Sequence, residues 1–426
     1  MSAILAPAAL EAILERFPVD AKLAAAARRA AARDIEGLTH DAQARAHANV
    51  LRAFADEGVA ESDLAGSLGY GYDDAARAHY ESLLARIFGA ERALARLSLV
   101  SGTHAIVTAI EACLPHEGRL ICATGRPYDT LRNALVEAPY AAVRRGVRYE
   151  EVPFGEGGDV DAAALARTCE RGVDVVFVQR SRGYASRRSL SAAECGALAR
   201  VVRSVAPHAF VLVDNCYGEL VEATEPTHHG VDAVMGSLIK NLGGALAPGG
   251  GYIIGRADVV ERVAARHYAP GLGSAVGSTL GFGRALVQGL FVAPLVVAEC
   301  LAGLDFASAL FAELGERVDP QPGAARRDIV QAIALGRAER VIAFARGLQR
   351  AMPLNARFAP EPGSVPGYRD PVVMSAGAFV NGATIELSCD APLRAPYEVY
   401  LQGGSSRAHV ALGALLAAEA LHKESK

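Results

Sequence analysis

Two apolar runs decide how this chain folds: VDVVFVQ (173–179) and AFVLVD (209–214), separated by a helical window at 191–205. Each run is rich in β-branched residues and short enough for a buried strand, and the window between them is long enough for a crossover helix. The same alternation continues outward: ALARLSLV (93–100) precedes a helical window at 102–114, RLICAT (119–124) one at 130–138, and VRYEEV (147–152) one at 160–170. This spacing predicts an α/β fold, a mostly parallel sheet with helices on both faces, whose ligands sit beyond the carboxyl ends of the strands. Downstream, DAVMGSLIKNLGGALAPGGGYIIG (232–255) reads as strand, glycine-rich loop, strand.

On either side the texture is different. Residues 2–56 carry helical periodicity with many alanines, GSLGYGYDD (66–74) is a glycine-punctuated turn, and 75–88 resumes a helix. After the sheet, a helical window at about 278–303 leads into a second region. That region is expected to hold a helix at 326–350, a strand-rich part at GAFVNGATIELSC (377–389) and a last helix near 405–421. The reading is an N-terminal helical arm (1–74), a large α/β domain (75–300) and a small C-terminal α+β domain (301–426).

Composition narrows the function. With 426 residues, 51% hydrophobic and 21% charged, the chain can build a sizeable core. A net charge of −4 argues against a nucleic-acid partner. Seven scattered cysteines, odd in number and never spaced C-x-x-C, point to a reducing cytoplasm rather than to a disulfide framework or thiolate zinc site. No basic apolar leader opens the sequence, and 285–300 is broken by Gln288, Gly289, Pro294 and Glu299, so neither a signal peptide nor a membrane span is expected. Only four of the 43 basic residues are lysines, and Lys240 alone lies in the interior of the chain. Arginine replaces lysine wherever positive charge suffices, but it cannot act as a neutral amine. Lys240 is therefore a candidate for amine chemistry, or a surface lysine that survived by chance.

Other residues fall at neighbouring strand ends. Ser101, Gly102 and Thr103 open a helix, which makes an anion corner or a plain N-cap. Asp214 closes AFVLVD, where a carboxylate can hold a proton on a ring nitrogen, bind a metal, act as a base, or simply form a turn. Tyr128 follows RLICAT and offers a flat ring for stacking or ordinary packing. Together, an anion corner, a stacking ring, a strand-end carboxylate and a lone lysine suit pyridoxal phosphate. GLGSAVG is one residue too long for the dinucleotide fingerprint, which disfavours a nicotinamide oxidoreductase. His228, His229 and Asp232 do not share a helix face, and no metal is expected.

The segments SGTHAI (101–106), GRPYDTL (125–131), VQRSRGY (178–184), DNCYGELVE (214–222), GSLIKNLGG (236–244), 270–294 and PYEVYLQGG (396–404) resemble those of one bacterial family. This is the methionine γ-lyase-like family, also labelled aluminium-resistance or cystathionine β-lyase-related, of the fold-type-I pyridoxal-phosphate enzymes. The resemblance runs from about 60 to 415. It implies that Lys240 is the imine lysine and Asp214 the partner of the pyridine nitrogen. It further implies that Ser101, Gly102, Thr103 and Ser237 bind the phosphate, that Tyr128 stacks on the ring, and that Gln179, with Ser181 and Arg182, lies near the cofactor. Tyr70 and Tyr72 match a segment that reaches a neighbouring subunit's site, which implies a homodimer or homotetramer, with Tyr72 also near substrate. Arg394 resembles the arginine that grips the substrate carboxylate. Where the family continues QGG with Leu-Thr-Tyr, this chain has Ser405-Ser406-Arg407, and Arg407 is read as a substrate-side charge favouring a polar side chain.

The expected activity is α,γ-elimination on an amino acid, giving a 2-oxo acid and ammonia. β-Elimination on cysteine-type substrates and γ-replacement are the alternatives within the fold, and a non-catalytic cofactor-binding protein is the alternative outside it.

Overall fold

The computed structural model describes residues 3–33, 38–155 and 158–424. It divides into two compact units, one of residues 45–292 and one that joins residues 1–44 to 293–426.

In the first unit, seven strands form the central sheet: Arg92–Arg96 (β1), Arg119–Cys122 (β2), Arg148–Glu151 (β3), Val175–Gln179 (β4), Phe210–Asp214 (β5), Ala233–Ser237 (β6) and Gly251–Gly255 (β7). Their order is β1-β7-β6-β5-β4-β2-β3. Strands β2 to β6 run parallel, while β7 is antiparallel to both β6 and β1. The glycine-rich loop 238–250 carries no α-helix and returns the chain beside β6, with Ser237 paired to Gly251, so β7 runs back along it. Strand β4 is buried along its whole length, as a central parallel strand covered on both faces must be. Gln179 pairs with Asp214, and Asp214 pairs with Met235, which aligns the ends of β4, β5 and β6 at one edge.

Crossover helices at Gly102–Cys113, Ala162–Glu170 and Ala192–Val205 start where the sequence supplies caps. Ser101 accepts a hydrogen bond from His104 N, Asp161 from Ala164 N, and Ser191 and Glu194 form a reciprocal capping box. Helix 130–138 is realised as a short turn of α-helix, Asp129–Arg132, that widens into a π-turn at Asn133–Glu137. Leu94, Ile106, Leu120, Phe177, Leu212 and Ile253 are buried together in the core beneath the sheet.

The second unit holds Arg317–Asp319 (β8), Val330–Ala334 (β9), Val372–Ser375 (β10), Ser388–Pro392 (β11) and Glu398–Gln402 (β12), antiparallel throughout in the order β10-β11-β12-β9-β8. The helix expected at 326–350 is here a strand, β9, followed by the helix Ala338–Gln349. A short run such as VQAIA, apolar at four of its five positions, is ambiguous between the two forms until a partner strand claims its backbone. The segment 377–389 enters the sheet only at Ser388, at its last two residues. Residues 3–31 behave differently from a free arm: helices Pro7–Arg16 and Ala21–Ala31 bury Leu10, Leu14, Leu23 and Ala27 and pack on the final helix, Arg407–Glu424.

The expected helix at 278–303 runs instead from Gly283 to Glu313. Among the described residues it alone is long and apolar enough to cross a membrane, but 56% of its most apolar window is buried inside the protein.

Candidate active site

At the end of β5, Asp214 is buried, and its Oδ1 accepts a hydrogen bond from Cys216 N at 3.1 Å. Burial pushes its carboxyl up to about 7, against the opposing pull of that hydrogen bond and of the positive charges of Lys240 and Arg187. On the adjoining strand end, Gln179 N donates to Thr124 Oγ1 at 2.9 Å, and the Gln179 side-chain carbonyl accepts from Tyr128 N at 3.0 Å. That bond fixes the start of the Tyr128 segment to β4. The Tyr128 hydroxyl lies 2.9 Å from Thr103 Oγ1, so the ring is tethered to the first turn of helix Gly102–Cys113. The same helix start abuts β6: a Cβ at Gly102 would stand 3.3 Å from both Cβ and N of Ser237. Ser101, Gly102, Thr103, Tyr128, Gln179, Asp214 and Ser237 are thus linked at the sheet's carboxyl edge.

Lys240 follows β6 by three residues and heads the short turn Asn241–Gly243. Its Nζ lies 5.1 Å from the centroid of the Tyr217 ring. Gly244 (φ +51°) lies so close to Gly289 of helix Gly283–Glu313 that a side chain at either position would collide with the other segment's backbone. The lysine turn is therefore held against a rigid element.

Beside it lies a second buried acid that the sequence reading passed over. Glu219 is fully buried, accepts the Tyr252 hydroxyl at 2.6 Å on Oε1, and leaves Oε2 without a partner. Burial raises its carboxyl to about 8, so it is held largely neutral at pH 7. Asn241, also fully buried, was missed too. The available signals were its place next to the lone lysine and a glutamate inside an otherwise apolar GELV run.

Tyr70 and Tyr72 are 70% and 55% exposed with rings 5.9 Å apart, on a loop anchored by Asp74 and Arg77. Ser181 and Arg182 are buried just beyond β4, where the Gln179 amide donates to Ser181 O at 3.0 Å. Arg394, in the second unit, pairs with Asp370 at 3.2 Å. The Arg407 guanidinium grips both oxygens of Glu299 and donates to Ile4 O at 3.2 Å, which ties the last helix within its own unit. Asp232 likewise serves structure, accepting from Arg203, Arg256 and Val211 N. His228 Nδ1 accepts from Glu225 N, and His229 pairs with Thr224.

A seven-stranded sheet with one reversed strand, joined to a small antiparallel sheet, is the fold of the fold-type-I pyridoxal-phosphate enzymes. A family model for methionine gamma-lyase matches residues 22–422, and the chain belongs to that family. It is 40% identical over 371 residues to the uncharacterized protein YnbB of Bacillus subtilis, covering 85% of this chain and 87% of that one. Among solved structures it resembles a candidate cystathionine β-lyase involved in aluminium resistance from Clostridium acetobutylicum (36% identity, TM-score 0.91, 96% and 98% of the two chains). A carbon-sulfur lyase involved in aluminium resistance from Clostridium novyi is similar at 33% identity and TM-score 0.90, again over 96% and 98%. At 17% identity, over 89% and 96% of the chains, the pyridoxal-5'-phosphate dependent protein YhfS of Escherichia coli shares the fold (TM-score 0.61).

Proposed function

We propose that the protein is a pyridoxal-phosphate-dependent carbon–sulfur lyase that carries out α,γ-elimination on an amino acid. The observation that carries this reading is the convergence of Asp214, Lys240, Tyr128 and the Gly102–Ser237 corner at one sheet edge. These residues fit the cofactor. A buried carboxyl whose ionisation is disfavoured gains most from a protonated ring nitrogen beside it. The corner at Gly102, where only a hydrogen separates the helix start from Ser237, leaves first-turn N–H groups to meet a phosphate.

When bound, pyridoxal phosphate supplies an aldehyde that captures the substrate amine and a ring that takes up the electrons left at Cα. Lys240 would hold the cofactor until the substrate amine replaces it; its freed amine would take the Cα proton, pass that proton on to the cofactor so that it is neutral again, and only then take one from Cβ, the second transfer that a γ-leaving group requires. Asp214 holds a proton at the ring nitrogen. The Tyr128 hydroxyl, oriented by Thr103, returns a proton to the departing sulfur. Water enters as ammonia leaves, and the products are a 2-oxo acid, ammonia and a thiol. For the substrate carboxylate the family pattern points to Arg394. Tyr70 and Tyr72, apolar rings held out from the surface, are proposed to meet a second copy of the chain in a homodimer or homotetramer. Seven free cysteines, six of them buried, suit a reducing cytoplasm.

β-Elimination on cysteine-type substrates is the second reading, favoured by the name of the Clostridium acetobutylicum relative. The test is incubation of the purified protein with amino acids bearing β- or γ-leaving groups, measuring 2-oxo acid and ammonia, together with borohydride reduction and peptide mapping. Methionine- and homoserine-type turnover with a pyridoxyl adduct on Lys240 is expected. Turnover of cysteine types alone overturns the γ-assignment, an adduct without turnover marks a cofactor-binding protein without activity, and no adduct on Lys240 overturns the reading altogether.

A further inference from the structure

Asn241 makes contacts that its position next to Lys240 does not by itself require. Its side-chain amide is fully buried and spends both N–H bonds on backbone carbonyls of another segment: Nδ2 donates to Tyr217 O at 3.0 Å and to Glu219 O at 2.8 Å. Those carbonyls lie in the loop that leaves β5 directly after Asp214, and Tyr217 supplies the ring beneath the Lys240 Nζ. One amide therefore sets two distances at once, lysine turn to aspartate loop and lysine nitrogen to aromatic face. The rest of the junction is equally tight. Cys216 Sγ accepts from Ser237 N at 3.3 Å, and a Cβ at Gly236 would stand 2.6 Å from the Tyr252 hydroxyl and 2.7 Å from Cys216 Sγ. Tyr252 in turn holds Glu219. Among the described groups facing this junction, the titratable and charged ones are Asp214, Cys216, Tyr217, Glu219, Tyr252 and Lys240, with Arg180 against Gly218, Arg187 acting on Asp214 and Glu225 acting on Glu219.

We propose that Asn241 is a positioning residue: its amide clamps the Lys240 turn to the Tyr217–Glu219 loop and so fixes where the lysine nitrogen sits relative to Asp214. The inference rests on the reading of Lys240 given above. Asparagine is the residue the geometry requires, because the site demands two donors in one plane. Aspartate has the same shape but offers the carbonyls no donors when ionised, and it would place a negative charge beside the amine.

The test uses the full chain with its cofactor bound and compares Asn241→Ala, Asn241→Asp and Asn241→Ser with the wild type. In Asn241→Ala, kcat falls by about tenfold or more with KM changed less than about threefold, as displacement of a reacting group produces. In Asn241→Asp, the pH midpoint of the bound cofactor's visible absorbance rises by about one unit, because a nearby carboxylate favours the protonated nitrogen. Asn241→Ser, which keeps one donor, falls between wild type and alanine in kcat. An unchanged kcat and an unchanged midpoint in folded variants overturn the proposal, as does failure of all three variants to fold, which would make Asn241 a stability residue only. Absence of any Lys240 adduct in the wild type would instead overturn the cofactor reading, so the two failures are distinct.

Discussion

The edge formed by β4, β5 and β6 and the loop 66–74 both concentrate buried polar groups, but to opposite ends. At the sheet edge the buried groups are acids with few partners: Asp214 sits near 7 and Glu219 near 8 because burial outweighs their hydrogen bonds. In the loop, Asp74 is also little exposed, though it lies closer to the surface, and its carboxyl lies below the usual carboxylate range. Burial would raise it, but five donors, from Ser67 N and Oγ, Arg77 N, and Thr279 N and Oγ1, more than compensate. Arg77 adds bonds to the carbonyls of Gly71, Tyr72, Ala275 and Gly277. The first region keeps under-partnered carboxyls whose ionisation burial disfavours and a cationic ligand would favour, whereas the second surrounds its ionised carboxylate with donors beside two aromatic rings held in the open. An under-partnered acid marks the proposed chemistry, and a fully partnered one marks scaffolding.

The largest effect that sharpens this contrast is thermodynamic. A carboxyl raised from 3.8 to about 7 in the folded state costs stability progressively as pH rises through that interval. The folded state keeps its proton while the unfolded chain has released one, so the penalty is absent below about pH 4 and complete above about pH 7. Asp214→Asn in cofactor-free protein is therefore expected to be more stable than wild type at pH 8 by up to about 4 kcal/mol, and equal to it near pH 4. Urea denaturation across that range checks this, and equal stability at both ends would break the distinction between the two regions.

Next in size, Asp74→Ala leaves buried donors without an acceptor and is expected to cost about 3 kcal/mol in the same assay. If the exposed tyrosines meet a second copy of the chain, light scattering should also show a lower assembled mass for this variant. The smallest effect concerns Arg407. Its pair with Glu299 is partly exposed, so Arg407→Ala should lose only about 1 kcal/mol of stability. Steady-state kcat/KM should change by less than about threefold, and a larger loss would return Arg407 to the substrate.

Much of the fold was legible along the chain. The strands at 119–122, 175–179 and 210–214 and their helices follow from period and from the caps Ser101, Asp161 and Ser191, which are local signals. Lys240 and Asp214 stood out because one is a rare residue type and the other ends a buried strand. The Arg407–Glu299 pair spans 108 positions, and Asn241 meets Glu219 across 22, so neither leaves a mark in any local window.

The sequence by itself determined the alternation of strands and helices, the lone interior lysine and the acid that ends β5, because each depends on periodicity or residue chemistry within a few neighbours. Tertiary structure alone decided that β7 runs against its neighbours, that residues 3–31 pack with the C-terminal unit, and that Arg407 is bound to Glu299. Those outcomes depend on which distant surfaces exclude water together, and burial of that kind is a property of the assembled chain.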